Sequence, residues 1–415
     1  MGNLNKDWIL TCFGTAVGAG ILFLPIRAGL SNIWSIIFLT IIIFPITYVS
    51  HRGITRIVAS CPKETNIVGA IEYDLGHTAS FVVSILYFLS IITICVGYTT
   101  GLTNMIYSLL TNQFNITFIS RPLLTFIILI VMTSVMLFNE KVAVLLTSII
   151  TLPLIIFLTA ISLYMIPKWD FSAFHSTFSL TLFFRDTLLL LPLLIFAMNF
   201  SPICSSLGAF YRKKFSSTEE AVKNSDKVIK YASLLLLTFV MFFIFSLFFT
   251  ITPEILLTAK NQNIDALTAI ALAYKTPLLL YTLPLIAFLA ISSSYFGHFE
   301  GTREGFCGII KQAVIWNRPE LKEKINLDKI RVVSTIMLVA LLWVLAVYNL
   351  SILSIIGAVS SPIIAMYAYL MPVILMKKVP RLRIYKSRIA AFVFIMGILT
   401  IVGYCLGQVM IVYNM

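Results

Sequence analysis

Long apolar stretches separated by short polar segments run through the whole chain. A helix needs about 20 apolar residues to cross the hydrocarbon core of a bilayer, and about eleven stretches approach that length. The pattern therefore predicts an all-α polytopic membrane protein with about eleven transmembrane helices. The predicted spans are residues 8–30, 33–50, 80–109, 123–138, 142–166, 187–211, 231–251, 276–296 with a helical extension, 332–348, 351–376 and 389–412.

The composition agrees with this membrane assignment. Hydrophobic residues make up 59% of the 415-residue chain and charged residues only 11%, and the mean hydropathy is +0.98. A soluble core does not require so many long apolar runs. The longest polar connections, residues 212–230 and 297–331, are too short to bury cores of their own. We expect residues 216–230 to form an amphipathic helix on the membrane surface.

Positive charge is distributed unevenly between the two sides of the membrane. With the N-terminus in the cytoplasm, 24 of the 30 Lys and Arg residues fall on the inner side. Because cytoplasmic loops carry such an excess, we predict a cytoplasmic N-terminus and, after an odd number of spans, an outer C-terminus. The net charge of +13 then reflects loops beside anionic lipid, and no nucleic acid partner is expected. The six Lys and Arg residues on the outer side are Arg27, Arg121, Lys168, Arg185, Lys260 and Lys275.

The six cysteines indicate neither a disulfide framework nor a zinc site. Four of them lie within predicted spans, and Cys61 and Cys307 fall on the inner side, so no pair occupies an oxidising outer loop. The small residues 16–18 resemble a signal-peptidase cleavage site. Because the apolar run continues beyond them, we expect the first span to be retained.

Two interruptions of otherwise apolar spans carry the functional information. Residues 14–20 read Gly-Thr-Ala-Val-Gly-Ala-Gly, and residues 199–202 read Asn-Phe-Ser-Pro. About seven and about twelve helical residues precede them, so the breaks lie roughly 10 Å and 18 Å into their spans. Unwound backbone survives at this depth only inside protein or beside a cavity. Two such breaks in matching halves of a chain indicate the central substrate site of a transporter.

The ends of broken helices suit a zwitterionic amino acid. Free amides at a helix start attract a carboxylate, and free carbonyls at a helix end attract an ammonium group or a metal ion. The alternative for the first break is close helix packing, with Gly14 and Gly18 forming a small-xxx-small pair. An Asn and a Pro in the middle of the sixth span have no comparable packing use.

Motifs at these breaks and elsewhere are similar to those of a known family. They comprise residues 14–25, 44–48 (Phe-Pro-Ile-Thr-Tyr), 51–53 (His-Arg-Gly), 199–206, 296–298 (Phe-Gly-His), 301–302 and 304–305. Together they resemble the hydroxy and aromatic amino acid permease family, and the run Ser-Pro-Ile-Cys-Ser-Ser resembles its serine/threonine branch. The chain departs from the family pattern at Phe200, where His is expected, and at Glu300, where an apolar residue is expected.

The resemblance implies a symporter of the bacterial inner membrane with a LeuT-like fold. That fold has two inverted five-helix repeats plus one extra helix, with helices 1 and 6 broken. Applied to this chain, the repeats are residues 1–166 and 184–376, and the extra helix is residues 389–412. Alternating access would be a rocking of the bundle that contains both broken helices against a scaffold around spans three and eight.

The candidate substrate site combines both breaks with residues of other spans. Hydroxyls on spans three and ten have an alternative reading as hydrogen-bonding groups between packed helices. His51, His77 and His175 are placed in loops and receive no role. The candidate substrate-binding residues are Thr15, Ala16, Val17, Gly18, Ala19, Gly20, Asn199, Phe200, Ser201, Tyr98 and Ser360.

The eighth span supplies the candidates for ion coupling. They are Ser293, Ser294, His298 and Glu304. Hydroxyls of this helix facing carbonyls of the first broken helix would resemble a sodium site, whereas His298, with an ordinary pKa near about 6.5, could carry a proton. The alternatives are that the serines bond to their own helix and that His298 lies at a solvated helix end with its charges paired locally.

The sequence therefore predicts proton-coupled uptake of a small neutral amino acid, serine or threonine. Sodium coupling and an aromatic substrate remain open, and so does the oligomeric state. The expected partners are the amino acid and membrane lipid, with no cofactor. An intramembrane enzyme would need a nucleophile, a base and an orienting acid at membrane depth, and no such set is evident. A channel would need a filter-like run of carbonyls, which is also not evident.

Overall fold

The computed structural model describes residues 3–413 except 63, 139, 176, 275 and 318–325. The predicted positions of Lys63, Lys275 and the basic residues within 318–325 therefore lie outside the described residues. The secondary structure of the described residues is helical, with no strand, so the prediction of an all-α membrane protein is confirmed.

Every predicted span coincides with a helix or a pair of helices. The first five spans and their connections contain seven helices: α1 Asn3–Ala16, α2 Ala19–Ala28, α3 Ile33–Ala59, α4 Ile67–Leu75, α5 His77–Asn112, α6 Arg121–Phe138 and α7 Glu140–Met165. The remaining spans and their connections contain nine: α8 Leu180–Ala197, α9 Ser201–Lys214, α10 Thr218–Thr250, α11 Pro253–Gln262, α12 Ala266–Tyr274, α13 Pro277–Asn317, α14 Leu327–Val347, α15 Ile352–Lys378 and α16 Arg388–Val412.

Nine helices of the described chain are long and apolar enough to cross a membrane. The pair α1 and α2, bent by 54° at its break, makes a tenth, and α6 is a further apolar helix at the fourth predicted span. Ion pairs tie the helices together at both ends of the bundle. At the end where α1 begins, here called the basic end, Arg56 of α3 pairs with Asp226 of α10 at 2.5 Å. At the opposite end, Arg27 of α2 pairs with the buried Asp186 of α8 at 3.3 Å.

Both predicted breaks are present, and local chemistry explains them. α1 ends at Ala16, and Gly18, with extended backbone angles, is the N-cap of α2. α8 ends at Ala197, and Pro202 lies in the first turn of α9. Proline is favoured there because the first amides of a helix have no intrahelical acceptor, so its missing N–H costs nothing.

Three local predictions were wrong. α3 continues to Ala59 instead of ending near residue 50, so His51 lies inside a helix. His77 begins α5. Residues 218–230 are helical and amphipathic, as predicted, but they are the first turns of the continuous α10 and not a helix of their own. No glycine or proline follows this amphipathic stretch to end the helix before the apolar run begins.

α15 is irregular in a way the sequence does not predict. It contains two π-helical segments, Ile355–Ser360 and Ala365–Leu370, on either side of a short α-helical turn. Ser361 donates its hydroxyl towards the Ile356 carbonyl at 2.7 Å and the Pro192 carbonyl of α8 at 2.6 Å. Pro362 has no N–H, so the local ladder is already weakened at this point.

Candidate functional site

The two broken spans meet where α2 begins and α8 ends. A Cβ atom added to Gly20 would lie 2.8 Å from the Cα of Ala197 and 2.7 Å from a ring carbon of Phe196. Glycine is therefore required for this approach of the two backbones. The seven non-glycine candidates of the two breaks, and the adjoining Ala197, have at most 2% of their surface exposed; the seven are Thr15, Ala16, Val17, Ala19, Asn199, Phe200 and Ser201.

The start of α2 presents unused hydrogen-bond donors. The amides of Gly18, Ala19 and Gly20 donate to no other described residue, and no side chain caps this helix start. The first amides of a helix have no intrahelical acceptor, and the helix dipole adds positive potential there. This segment can therefore bind a carboxylate.

The end of α8 presents unused acceptors. The carbonyls of Ala197, Met198 and Asn199 accept no hydrogen bond from the described residues. The side-chain nitrogen of Asn199 and the hydroxyl of Ser201 are also buried without a described partner. Carbonyl oxygens at a helix end carry negative potential, so this segment can bind an ammonium group.

The amides after the second break are already bonded. Asn199 donates its backbone N–H to the Phe196 carbonyl at 3.1 Å. Ser201 donates to the Asn199 side-chain oxygen at 3.2 Å, and Phe200 donates to Nε2 of His51 at 3.0 Å. The two breaks therefore differ, because α2 offers free donors and α8 offers free acceptors.

Ser294 of α13 lies among carbonyls of the first break. Its hydroxyl oxygen is 2.6 Å from the Val17 carbonyl oxygen and 3.1 Å from those of Gly14 and Thr15. A hydroxyl has one proton, so it cannot satisfy all three acceptors at full strength. Ser293 instead donates to Ala290 of its own helix at 2.9 Å, which is the back-bonding alternative.

His298 is buried next to this cluster. It is 1% exposed, and its Nδ1 lies 2.8 Å from the Ser294 carbonyl, to which it donates. Its ring meets Tyr98 edge-on at a centroid distance of 5.2 Å. The alternative of a solvated helix end is wrong for this residue.

Glu304 lies away from Ser294 and His298. It accepts a hydrogen bond from the Asn66 side chain at 2.7 Å, and ten residues of helix, about 15 Å, separate it from Ser294. Glu300 pairs with Arg303 on its own helix and with Arg331 of α14 at 3.0 Å. The local charge pairing considered for this helix end is therefore present at Glu300.

Tyr98 and Ser360 lie on two other helices of the bundle. The Tyr98 hydroxyl would be 3.0 Å from a Cβ added to Gly18, and it interacts with the Ser294 hydroxyl. Tyr98 thus joins α5 to the first break. Ser360 is fully buried on α15, and its hydroxyl has no described partner. Its neighbour Ser361 bonds α15 to α8.

Sequence reasoning missed His51. It is fully buried, and its ring stacks on Phe200 with centroids 4.0 Å apart. The usable signal is that residues 33–59 form one apolar helical run, and the helical period places His51 on the same face as its buried apolar residues. Elsewhere in the described chain, no group of three His, Cys, Asp or Glu side chains is placed to hold a metal ion.

A comparison with protein families identifies the chain. The sequence profile of the tryptophan/tyrosine permease family matches residues 9–411. The chain belongs to this family. The resemblance in its motifs is thereby confirmed, and this permease is a multi-pass amino acid transporter and not an enzyme.

Relatives of the permease carry related names. It is 34% identical over 404 residues to the serine transporter SdaC of Escherichia coli K12, covering 95% of this chain and 92% of the relative. It is also 34% identical over 420 residues to the threonine/serine transporter TdcC of Edwardsiella tarda, covering 96% and 94%. These similarities support the serine/threonine branch.

Solved structures share the fold of the permease at low sequence identity. The manganese transporter of Eremococcus coleocola superposes with a TM-score of 0.60 at 14% identity, covering 97% of this chain and 84% of that one. Mhp1, a nucleobase-cation-symport-1 family transporter, gives 0.58 at 12% identity, covering 99% and 93%. MhsT, solved with L-phenylalanine, gives 0.56 at 11%, covering 99% and 97%. The predicted LeuT-like fold class is confirmed.

Proposed function

We propose that the permease is a proton-coupled symporter that carries serine or threonine into the cytoplasm by alternating access. The observation that carries this proposal is the meeting of free amides at the start of α2 with free carbonyls at the end of α8. An amino acid bears a carboxylate and an ammonium group on one carbon. It can therefore bridge two such helix ends at once.

In the proposed complex, the carboxylate accepts hydrogen bonds from the amides of Gly18, Ala19 and Gly20. The ammonium group donates to carbonyls of the segment Ala197 to Asn199. The side-chain nitrogen of Asn199 and the hydroxyl of Ser201, which have no partner among the described residues, lie beside those carbonyls in sequence and suit a hydroxyl-bearing substrate. Alanine has no hydroxyl and would leave these buried polar groups unpaired, which is costly. The site therefore favours serine or threonine over alanine. The names of the serine and threonine/serine relatives point the same way.

Two groups are candidates for the coupling ion. His298 is a buried imidazole beside Tyr98 and Ser294, and an ionisable group at membrane depth is a natural proton carrier. The alternative is Na⁺ among the carbonyls of Gly14, Thr15 and Val17 with the Ser294 oxygen. Sodium is a hard cation that suits oxygen ligands, and Ser294 would turn its proton away to present a lone pair. Glu304 is the weaker candidate because of its distance from this cluster.

The topology belongs to the same proposal. The permease would lie in the bacterial inner membrane with a cytoplasmic N-terminus and an outer C-terminus, which makes the basic end cytoplasmic. The proposed repeats are residues 1–166 and 184–376, followed by the extra helix 389–412. Alternating access would open the buried site to one side at a time by rocking the broken helices against α5 and α13.

The first test is uptake into liposomes containing the purified protein. Labelled serine, threonine and tryptophan are offered under an imposed proton gradient or an imposed sodium gradient. Concentrative uptake of serine or threonine driven by protons alone is the expected result. Preferential tryptophan uptake would contradict the substrate assignment.

The same assay tests the coupling residue. We expect His298→Ala to abolish accumulation driven by the proton gradient while leaving serine exchange across the membrane measurable. Unchanged proton-driven accumulation would remove His298 from the coupling mechanism. A strict sodium requirement that Ser294→Ala abolishes would instead support the carbonyl cluster as an ion site. Ser293→Ala is the matched control, since Ser293 bonds only to its own helix.

A further inference from the structure

We propose that His51 of α3 is a positioning residue for substrate binding: its neutral imidazole holds the Phe200 amide and thereby orients the Asn199 carbonyl in the second break. The inference rests on the proposed function, in which that carbonyl receives the substrate ammonium group. His51 is distant from both breaks in the sequence, and only the fold brings its ring against Phe200.

The hydrogen bonds of the imidazole fix its tautomer. Nδ1 lies 2.8 Å from the Thr47 carbonyl, which can only accept, so Nδ1 carries the proton. Nε2 lies 3.0 Å from the Phe200 nitrogen, whose N–H can only donate, so Nε2 presents its lone pair. The Ser50 hydroxyl donates to the same Thr47 carbonyl at 3.0 Å and lies 3.0 Å from Nδ1. Both ring nitrogens are thus committed.

The bond to Phe200 comes from outside the sixth span. Phe200 is the N-cap of α9, and its own side chain makes no capping hydrogen bond. Ser201 bonds to Asn199, and Pro202 has no N–H to offer. Without His51, the Phe200 amide would be a buried donor with no described acceptor, and such groups are costly at membrane depth.

The peptide geometry transmits this bond to the substrate site. The Phe200 N–H and the Asn199 carbonyl belong to one peptide unit, and the described chain contains no cis peptide bond. In a planar trans peptide the N–H and C=O point in opposite directions. Holding the N–H against His51 therefore points the Asn199 carbonyl away from α3.

The test compares two replacements of His51 in serine uptake by the full-length protein in liposomes. His51→Gln can place a side-chain oxygen near the position of Nε2, whereas His51→Leu removes the acceptor at similar size. We expect His51→Leu to raise the KM for serine about 10-fold, since a buried amide is left unpaired, and His51→Gln to restore a KM near the wild-type value.

Two control variants separate this role from general packing. Phe200→Leu removes the stacked ring but keeps the amide, so its KM should rise less than that of His51→Leu. His175→Leu changes an exposed histidine of a loop turn and should leave uptake unchanged. Equal KM values for the His51→Leu and wild-type proteins would overturn the inference while leaving the proposed function intact. Wild-type protein that transports none of the amino acids offered would overturn the proposed function.

A spectroscopic measurement covers the case in which His51→Leu does not fold. Solid-state NMR of protein labelled at histidine distinguishes the two neutral tautomers and the imidazolium. The signal lost between wild type and His51→Gln should be that of a neutral ring protonated at Nδ1. Loss of an Nε2-protonated ring or of an imidazolium signal would overturn the inference without any reference to transport.

Discussion

At the residue scale, the candidate site depends on where side chains are absent as much as on where they are present. Gly18 leaves room for Ser294 and Tyr98, and Gly20 leaves room for the backbone of Ala197. Two of the three free amides of α2 belong to these glycines. The same glycines therefore allow close helix packing, which was the alternative considered from the sequence, and leave backbone amides accessible.

Gly20 gives the sharpest test at this scale. Gly20→Ala would place a methyl group 2.8 Å from the Ala197 Cα, so the two helix ends must separate. We expect at least about a 10-fold loss of serine uptake, since displacement of the backbone by 1 Å is enough to disrupt a binding geometry. The loss is measured as serine uptake per protein molecule inserted in liposomes. Gly97→Ala on α5 is the matched control because its added methyl would meet no atom within 4 Å. Equal uptake by the two variants would contradict the site.

At the element scale, irregular helices position the site. α2 and α8 end or begin within the bundle because glycine and proline interrupt their spans, which the sequence predicts. The π segments of α15 have a different origin. Ser361 donates its hydroxyl both to the Ile356 carbonyl of its own helix and to the Pro192 carbonyl of α8. This contact links α15 to the first half of the broken sixth span.

Ser361 tests the importance of that link. Ser361→Ala removes the hydroxyl that donates to the carbonyls of Ile356 and Pro192, and we expect a loss of about 0.5–1.5 kcal/mol in stability, the usual net contribution of a hydrogen bond. Thermal unfolding in detergent measures the loss. Ser354→Ala changes an exposed serine of the same helix and should shift the midpoint little. An unchanged midpoint for Ser361→Ala would show that the contact to Pro192 does not stabilise the fold.

At the scale of the whole molecule, polar contacts close the basic end below the candidate site. The Ile67 amide at the start of α4 donates to Ser205 of α9 at 3.0 Å. Asn66 donates to Glu304 of α13 at 2.7 Å. The segment leading into α4 thus joins α9, which follows the second break, to α13. In the proposed alternating access, these contacts must separate whenever the site opens to the cytoplasm.

Glu304 distinguishes closure from ion coupling. Glu304→Ala removes the acceptor for Asn66 and should shift the population about 10-fold towards opening at the basic end, because a hydrogen bond to a charged group contributes about 1.5–3 kcal/mol. Alkylation of the buried Cys204 by a membrane-permeant maleimide, in protein whose Cys307 and Cys405 are replaced by Ser, measures that opening.

The matched variant is Glu304→Gln, which keeps an acceptor but cannot titrate. We expect it to label at Cys204 and to accumulate serine like the wild type. If Glu304→Gln lost proton-driven accumulation while Cys204 was labelled as in the wild type, Glu304 would instead be assigned to ion coupling.

The order of the apolar runs determined the architecture without any tertiary information. A bilayer imposes one length and one polarity on every span, so eleven spans and both breaks could be located from local residue types alone. Ser294 was identified for the same reason, as a hydroxyl deep in an apolar helix. These features can be recognised from short stretches of sequence, because every span lies in the same apolar environment. Segments of a soluble protein differ in their surroundings, so short stretches say less about them.

Only the tertiary structure decided which polar groups meet. His51 and Phe200 are 149 residues apart in sequence, and their hydrogen bond depends on how α3 packs against the second break. The same holds for Asn66 with Glu304 and for Ser361 with Pro192. A buried polar group must find a partner somewhere, but the sequence does not state which helix provides it. Helix packing makes that choice, because it determines which buried faces of distant segments come into contact.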